Sequence, residues 1–172
     1  MKKNSIQLLI DEVNSSLNSE NYISALIVAL VIPDVCGKIL YPSASTTERY
    51  KKWFDKYIGD YEQSPLAKKD SKWNLPYMDG YACYKLRCAM LHEGAEDISK
   101  DIKIDKFKLL IGKDALCECS SKTQTCDETE VTEWYVNVEN LCNKIVWSAE
   151  AFLKKENIDS GSIPTIDISD RY

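Results

Sequence analysis

One histidine stands in the 172 residues, His92. Imidazole chemistry in this chain must pass through it, or through its copy in a second subunit. Arg87 precedes it in the run Tyr81-Ala82-Cys83-Tyr84-Lys85-Leu86-Arg87-Cys88-Ala89-Met90-Leu91-His92-Glu93-Gly94. Five residues of helix turn through about 500°, which leaves the two side chains about 140° apart around the axis. A direct hydrogen bond between them does not follow from that spacing. A substrate lying at an interface could still touch both, because arginine is long. A guanidinium suits a phosphate through its fork of donors, and an imidazole titrates near neutrality, as a general acid or base must. The plainer role for His92 is to close a helix beside Gly94, where the helix dipole favours imidazolium.

Cysteine offers a second chemistry. Cys117, Cys119 and Cys126 are spaced C-x-C-x6-C, whereas structural zinc wants four ligands in closer pairs. The only histidine lies 25 residues before Cys117, so strand alternation placing Cys117 and Cys119 on one face accounts for their spacing without a metal. We expect no metal site and no cofactor. Seven cysteines, scattered and odd in number, with five in apolar or aromatic surroundings, read as reduced core thiols of a cytoplasmic protein.

A third set is cationic. Lys51, Lys52 and Lys56 interleave with Tyr50, Trp53, Tyr57 and Tyr61. Aromatics at steps of three and four make a core seam; with lysines between them they could also bind a phosphate backbone, making these lysines candidate substrate-binding residues. Residues 49–72 hold seven basic residues against four acidic, while residues 117–139 hold six acidic and one lysine. That acidic segment matches the chain's net charge of −5, so overall acidity is weak evidence against an anionic partner, although an overall basic binder is excluded.

Helices must position these groups. Ile6, Leu9, Ile10, Val13 and Leu17 predict an amphipathic first helix. Tyr22 to Leu40 is apolar on nearly all sides and predicts a central helix that Pro33 kinks or divides. Ile23 to Pro33, its most apolar part, is too short to span a bilayer, and the run before Asp11 and Glu12 is shorter than the apolar core expected of a secretory signal. Thr47 onward predicts an aromatic-faced helix ending near Gly59, then a long loop over 62–78. Asp79-Gly80 opens the helix that carries Arg87 and stops at Gly94. Alternating positions at 102–111, 115–119 and 131–136 predict strands, with Ser120 to Glu130 as a hairpin turn. Val138, Leu141, Cys142, Ile145, Val146, Ala149, Phe152 and Leu153 predict a long closing helix. The fold expected is mainly α: a helical bundle over 1–156 with a small β-hairpin insertion at about 102–136, and a tail at 157–172.

Arginine, four residues and histidine, late in a helix of such a domain, resembles the signature of the HEPN superfamily. The string LRCAMLHEG looks like the variant in small uncharacterised bacterial members. The helices SALIVALVIPDVCGKI and RYKKWFDKYI and the closing helix extend the likeness over about four-fifths of the chain. The resemblance implies a metal-independent endoribonuclease, acting as a homodimer in which paired Arg–His helices form one composite site. It gives Arg87 the scissile phosphate and His92 the role of general base or acid for attack by the RNA 2′-hydroxyl. It also implies a defence or toxin–antitoxin setting, with RNA or a nucleotide as ligand, an antitoxin-type protein as partner and no membrane. Cys88 stands where many active members carry a polar residue, often Asn. Non-catalytic relatives that dimerise or bind a partner supply the alternative reading.

Overall fold

The computed structural model describes residues 2–62, 77–91, 104–111, 120–126, 129–155, 163 and 165–167. Strand β1 (Lys2–Asn4) leads into α1 (Ser5–Asn18), where the Asn4 side chain accepts a hydrogen bond from the Ile6 amide at 2.9 Å and caps the helix. Ile6, Ile10 and Val13 turn the apolar stripe of α1 into the core.

The apolar run that follows is divided in two, α2 (Tyr22–Ala29) and α3 (Ile32–Leu40). Pro33 sits in the first turn of α3, where its missing N–H is no loss. Together the two make a 19-residue stretch of mean hydropathy 2.1, long and apolar enough to cross a membrane by length and composition, and longer than the Ile23 to Pro33 segment. In this fold Ala25, Leu26, Ala29, Leu30, Ile32 and Cys36 are fully buried within it.

Helix α4 (Thr46–Phe54) starts at Ser45, whose hydroxyl accepts the Glu48 amide at 3.3 Å. It does not end near Gly59 as expected. It widens into a π-helical turn over Asp55–Gly59 and continues as α5 (Asp60–Glu62). α4 packs against α3 and α6, with Tyr50, Trp53 and Phe54 fully buried. Two glycines let neighbours approach it closely. A Cβ on Gly37 of α3 would lie 2.6 Å from the Arg49 carbonyl oxygen. One on Gly80, at the start of α6 (Gly80–Leu91), would lie 2.5 Å from the Lys51 carbonyl oxygen. The Arg49–Asp34 ion pair, at 2.6 Å, also ties α4 to α3.

After α6 come β2 (Ile104–Leu110), β3 (Ser120–Cys126) and β4 (Thr129–Asn137), in spatial order β2-β4-β3. β2 runs parallel to β4 and β3 antiparallel to it. The polar run expected as a hairpin turn is therefore mostly strand. Its residues pair with β4 through the backbone, which needs no apolar alternation. In β4, Trp134 and Val136 are buried, opposite the partly buried Phe107 and Leu109 of β2. Asn137 then caps the closing helix α7 (Val138–Lys155), its side chain accepting the Asn140 amide at 2.9 Å. In the C-terminal tail Ile163 is buried in the core, and β5 (Thr165–Asp167) pairs antiparallel with β1. The strand expected at 115–119, the stop at Gly94 and most of the 62–78 loop lie outside the described residues.

Candidate functional site

α4 has two flanks, and the candidate residues divide between them. On the first flank lies α6. Asp79 starts this helix by accepting the Ala82 amide at 2.7 Å, and Gly80 donates its own amide to the Asp55 carboxylate at 2.6 Å. Asp55 is half-buried, and burial pushes its carboxyl above the usual range against the pull of that hydrogen bond. The Tyr50 hydroxyl meets the Cys83 thiol at 3.4 Å in the core. Burial, and next the Cys83 thiol, push the Tyr50 hydroxyl well above its ordinary value, while the Arg87 guanidinium works in the opposite direction. Tyr84 sets its ring edge-on to Tyr50 at 5.4 Å, and the Arg87 guanidinium lies 5.8 Å from the centre of the Tyr84 ring.

Arg87 is thus half-buried in an aromatic corner. Its Nε is shut off from solvent and meets no hydrogen-bond partner among the described residues. Cys88 beside it is also half-buried. His92 lies outside the described residues, directly after Leu91, the last described residue of α6.

The three candidate lysines do not share one surface. The ammonium of Lys51 sits 5.2 Å from the Tyr81 ring of α6, as does that of the buried Lys85. Lys52 pairs with Glu48 at 2.6 Å and lies 5.7 Å from the Tyr41 ring. Only Lys56 reaches the second flank, 5.1 Å from the Tyr57 ring. The aromatic row divides likewise. Tyr50 and Trp53 are core, Tyr57 is half-buried, and Tyr61 is 82% exposed.

On the second flank, Trp53 stacks on Tyr57 at 5.1 Å, and both set Phe152 of α7 edge-on. Beyond this aromatic seam the surface opens into a groove of about 440 Å³ between the π-helical turn, α5 and α7. Ser148 donates to the Tyr57 carbonyl at 3.3 Å. Lys144 reaches both oxygens of Glu62, at 2.8 and 2.9 Å, with both side chains largely covered. Trp147, 62% exposed, and Tyr61 line the groove with Lys56 and Lys155. Sequence reasoning does not single out this groove. One signal was there to find: Trp147 falls off the apolar period of α7, and an indole on the polar face of an amphipathic helix is out of place.

Among the described residues, no three His, Cys, Asp or Glu side chains cluster as metal ligands. Cys117 and Cys119 lie outside those residues, and the side chain of Cys126 is not described. Compared with protein-family models, with curated proteins and with solved structures, the chain matches none.

Proposed function

We propose that this chain is a HEPN-like RNA-binding protein that cleaves RNA without a metal, at a composite site formed by Arg87 and His92 of two subunits in a cytoplasmic homodimer. The observation that supports the reading is Arg87. A guanidinium nitrogen sealed from water with no acceptor among the described residues, a state it shares with the Trp53 and Trp134 indole nitrogens, costs stability, and of these only the guanidinium carries a charge that a phosphate oxygen would match. The aromatic corner made by Tyr84 and Tyr50 holds the guanidinium in place before a ligand arrives. His92 follows five residues later in sequence.

In this mechanism His92 takes the proton from a ribose 2′-hydroxyl, and the resulting oxygen attacks the adjacent phosphorus. Arg87 stabilises the charge that develops on the phosphoryl oxygens. The P–O5′ bond breaks as the 5′-oxygen takes up the proton that the His92 imidazolium returns, giving a 2′,3′-cyclic phosphate and a 5′-hydroxyl. No metal enters any step. The setting proposed is defence or toxin–antitoxin, with an antitoxin-type protein as the natural inhibitor.

The test is incubation of the purified chain with mixed RNA in EDTA, beside His92→Ala. Cleavage by the parent, with cyclic-phosphate ends, and its loss in the variant is the expected result. Equal cleavage by both would place the activity elsewhere. A specific observation favours the non-catalytic alternative, a dimerising or partner-binding domain. Ile23 is 41% exposed, and Ile27, Val31 and Val35 continue from it, half-buried, at four-residue steps along α2 and α3. If Ile23→Lys makes the chain monomeric while His92→Ala changes no RNA turnover, that alternative stands in place of the nuclease.

A further inference from the structure

We infer that the groove between the π-helical turn, α5 and α7 binds an unstacked nucleotide of single-stranded nucleic acid, its base against Tyr61 and Trp147 and its phosphate against Lys56 and Lys155. Arg87 does not line this groove, and the site needs no cleavage there.

Three features of the groove point to that ligand. Its two large rings are left in water at 82% and 62% exposure, although the same seam buries Trp53 and Phe152 completely. Flat π-faces held in water by a rigid scaffold are platforms for another flat ring. The charge is arranged to match. Glu62, the carboxylate lining the groove, is taken up by both its oxygens on Lys144. Lys56 and Lys155 are exposed, and with Lys144 they set three lysines against that one carboxylate in the lining. The size fits as well, since about 440 Å³ lies in the range of small-ligand sites. A planar apolar face beside an anion is the chemistry of a nucleotide. The groove opens to solvent rather than enclosing its contents, which leaves a bound nucleotide room to remain part of a strand.

The scaffold is built to hold this shape. The π-helical turn carries Tyr57 and Tyr61 past the end of α4, Ser148 fastens the Tyr57 carbonyl to α7, and the Lys144–Glu62 pair fastens α5 to α7. The platform is therefore ordered before a ligand arrives, which lowers the entropic cost of binding.

The experiment uses the full chain and a fluorescein-labelled 2′-O-methyl oligouridine of roughly twelve nucleotides, within the span of known single-strand sites. Attack by a 2′-hydroxyl cannot cleave this probe, so the result is independent of the nuclease reading. Anisotropy should report binding that Trp147→Ala with Tyr61→Ala weakens by about tenfold or more, while Trp147→Phe retains most of it. Lys56→Glu with Lys155→Glu should also weaken it, and should flatten the salt dependence by about 0.7 in the log–log slope for each phosphate no longer neutralised. Both aromatic positions are exposed, and an unchanged far-UV circular dichroism spectrum would show the fold intact. Three results would overturn the proposal. One is a parent that does not bind the probe, and another is an aromatic double variant that binds as tightly as the parent. The third is a free mononucleotide that competes as well as the oligonucleotide at equal concentration. Sedimentation supplies a fourth: if Trp147→Ala turns a dimer into a monomer, the groove is covered by a second copy of the chain.

Discussion

The two flanks of α4 use the same residue types to opposite ends. Toward α6, Tyr50, Tyr84 and Arg87 close over one another, and a thiol and a hydroxyl meet in the dry core at 3.4 Å. Toward α7, Tyr57, Tyr61 and Trp147 run outward from the core, with lysines at the rim. The closed flank sets a guanidinium whose Nε has no acceptor among the described residues. The open flank sets a platform. The difference comes from backbone geometry: Gly37 and Gly80 admit α3 and α6 to van der Waals contact with the α4 backbone, whereas the π-helical turn displaces the chain on the other flank and leaves room beside α7.

The largest effect should come from removing the centre of the aromatic seam. Trp53 is fully buried between Tyr57 and Phe152, so Trp53→Ala should cost about 3–5 kcal/mol in urea unfolding. Next, Gly80→Ala forces a Cβ onto the Lys51 carbonyl and should cost about 1–3 kcal/mol. It should disturb the α6 flank and leave oligonucleotide binding in the groove unchanged; equal damage to both would mean that the flanks are not independent. Tyr50→Phe removes a buried hydroxyl bonded only weakly to sulfur and should cost about 0.5–1.5 kcal/mol.

Asp55 supplies a pH test of the closed flank. Its carboxyl is raised by burial, so the folded state holds the proton more tightly than the unfolded chain. The resulting stabilisation is fully present below the unfolded value of 3.8 and is lost as pH rises through the raised folded value. Asp55→Asn keeps an oxygen for the Gly80 amide and removes the charge. It should flatten that part of the stability profile in denaturant titrations at stepped pH. The smallest effect belongs to the open flank: Trp147→Ala should change stability by no more than about 0.5 kcal/mol. A larger loss would make the exposed ring a structural contact rather than a platform.

These features were unequally legible in the sequence. α1 and α7 announce themselves through their apolar period, α6 through its start at Asp79-Gly80, and α7 also through the step from strand alternation to helical spacing at Val138. The break at Pro33 follows from its missing N–H. β3 carries Ser, Lys, Thr and Gln without alternation, and its strand state comes from pairing with β4, a long-range cause that a local pattern does not record. The groove was illegible for the same reason, because Glu62 and Lys144 meet across 82 residues of sequence. The aromatic row reads in the sequence as a core seam with lysines between. Its first half is that seam, and the π-helical turn carries Tyr61, its last member, out to the surface.

The central claim is that Arg87 is placed for a phosphate and not for the fold, and one variant tests it directly. Arg87→Met keeps the unbranched side chain against Tyr84 and removes the buried Nε that has no acceptor among the described residues. Measured side by side in EDTA, the variant should unfold at the same urea concentration as the parent or a higher one, and should lose RNA cleavage by about a hundredfold or more. A variant that unfolds earlier while cleaving RNA at the parent's rate would contradict the account.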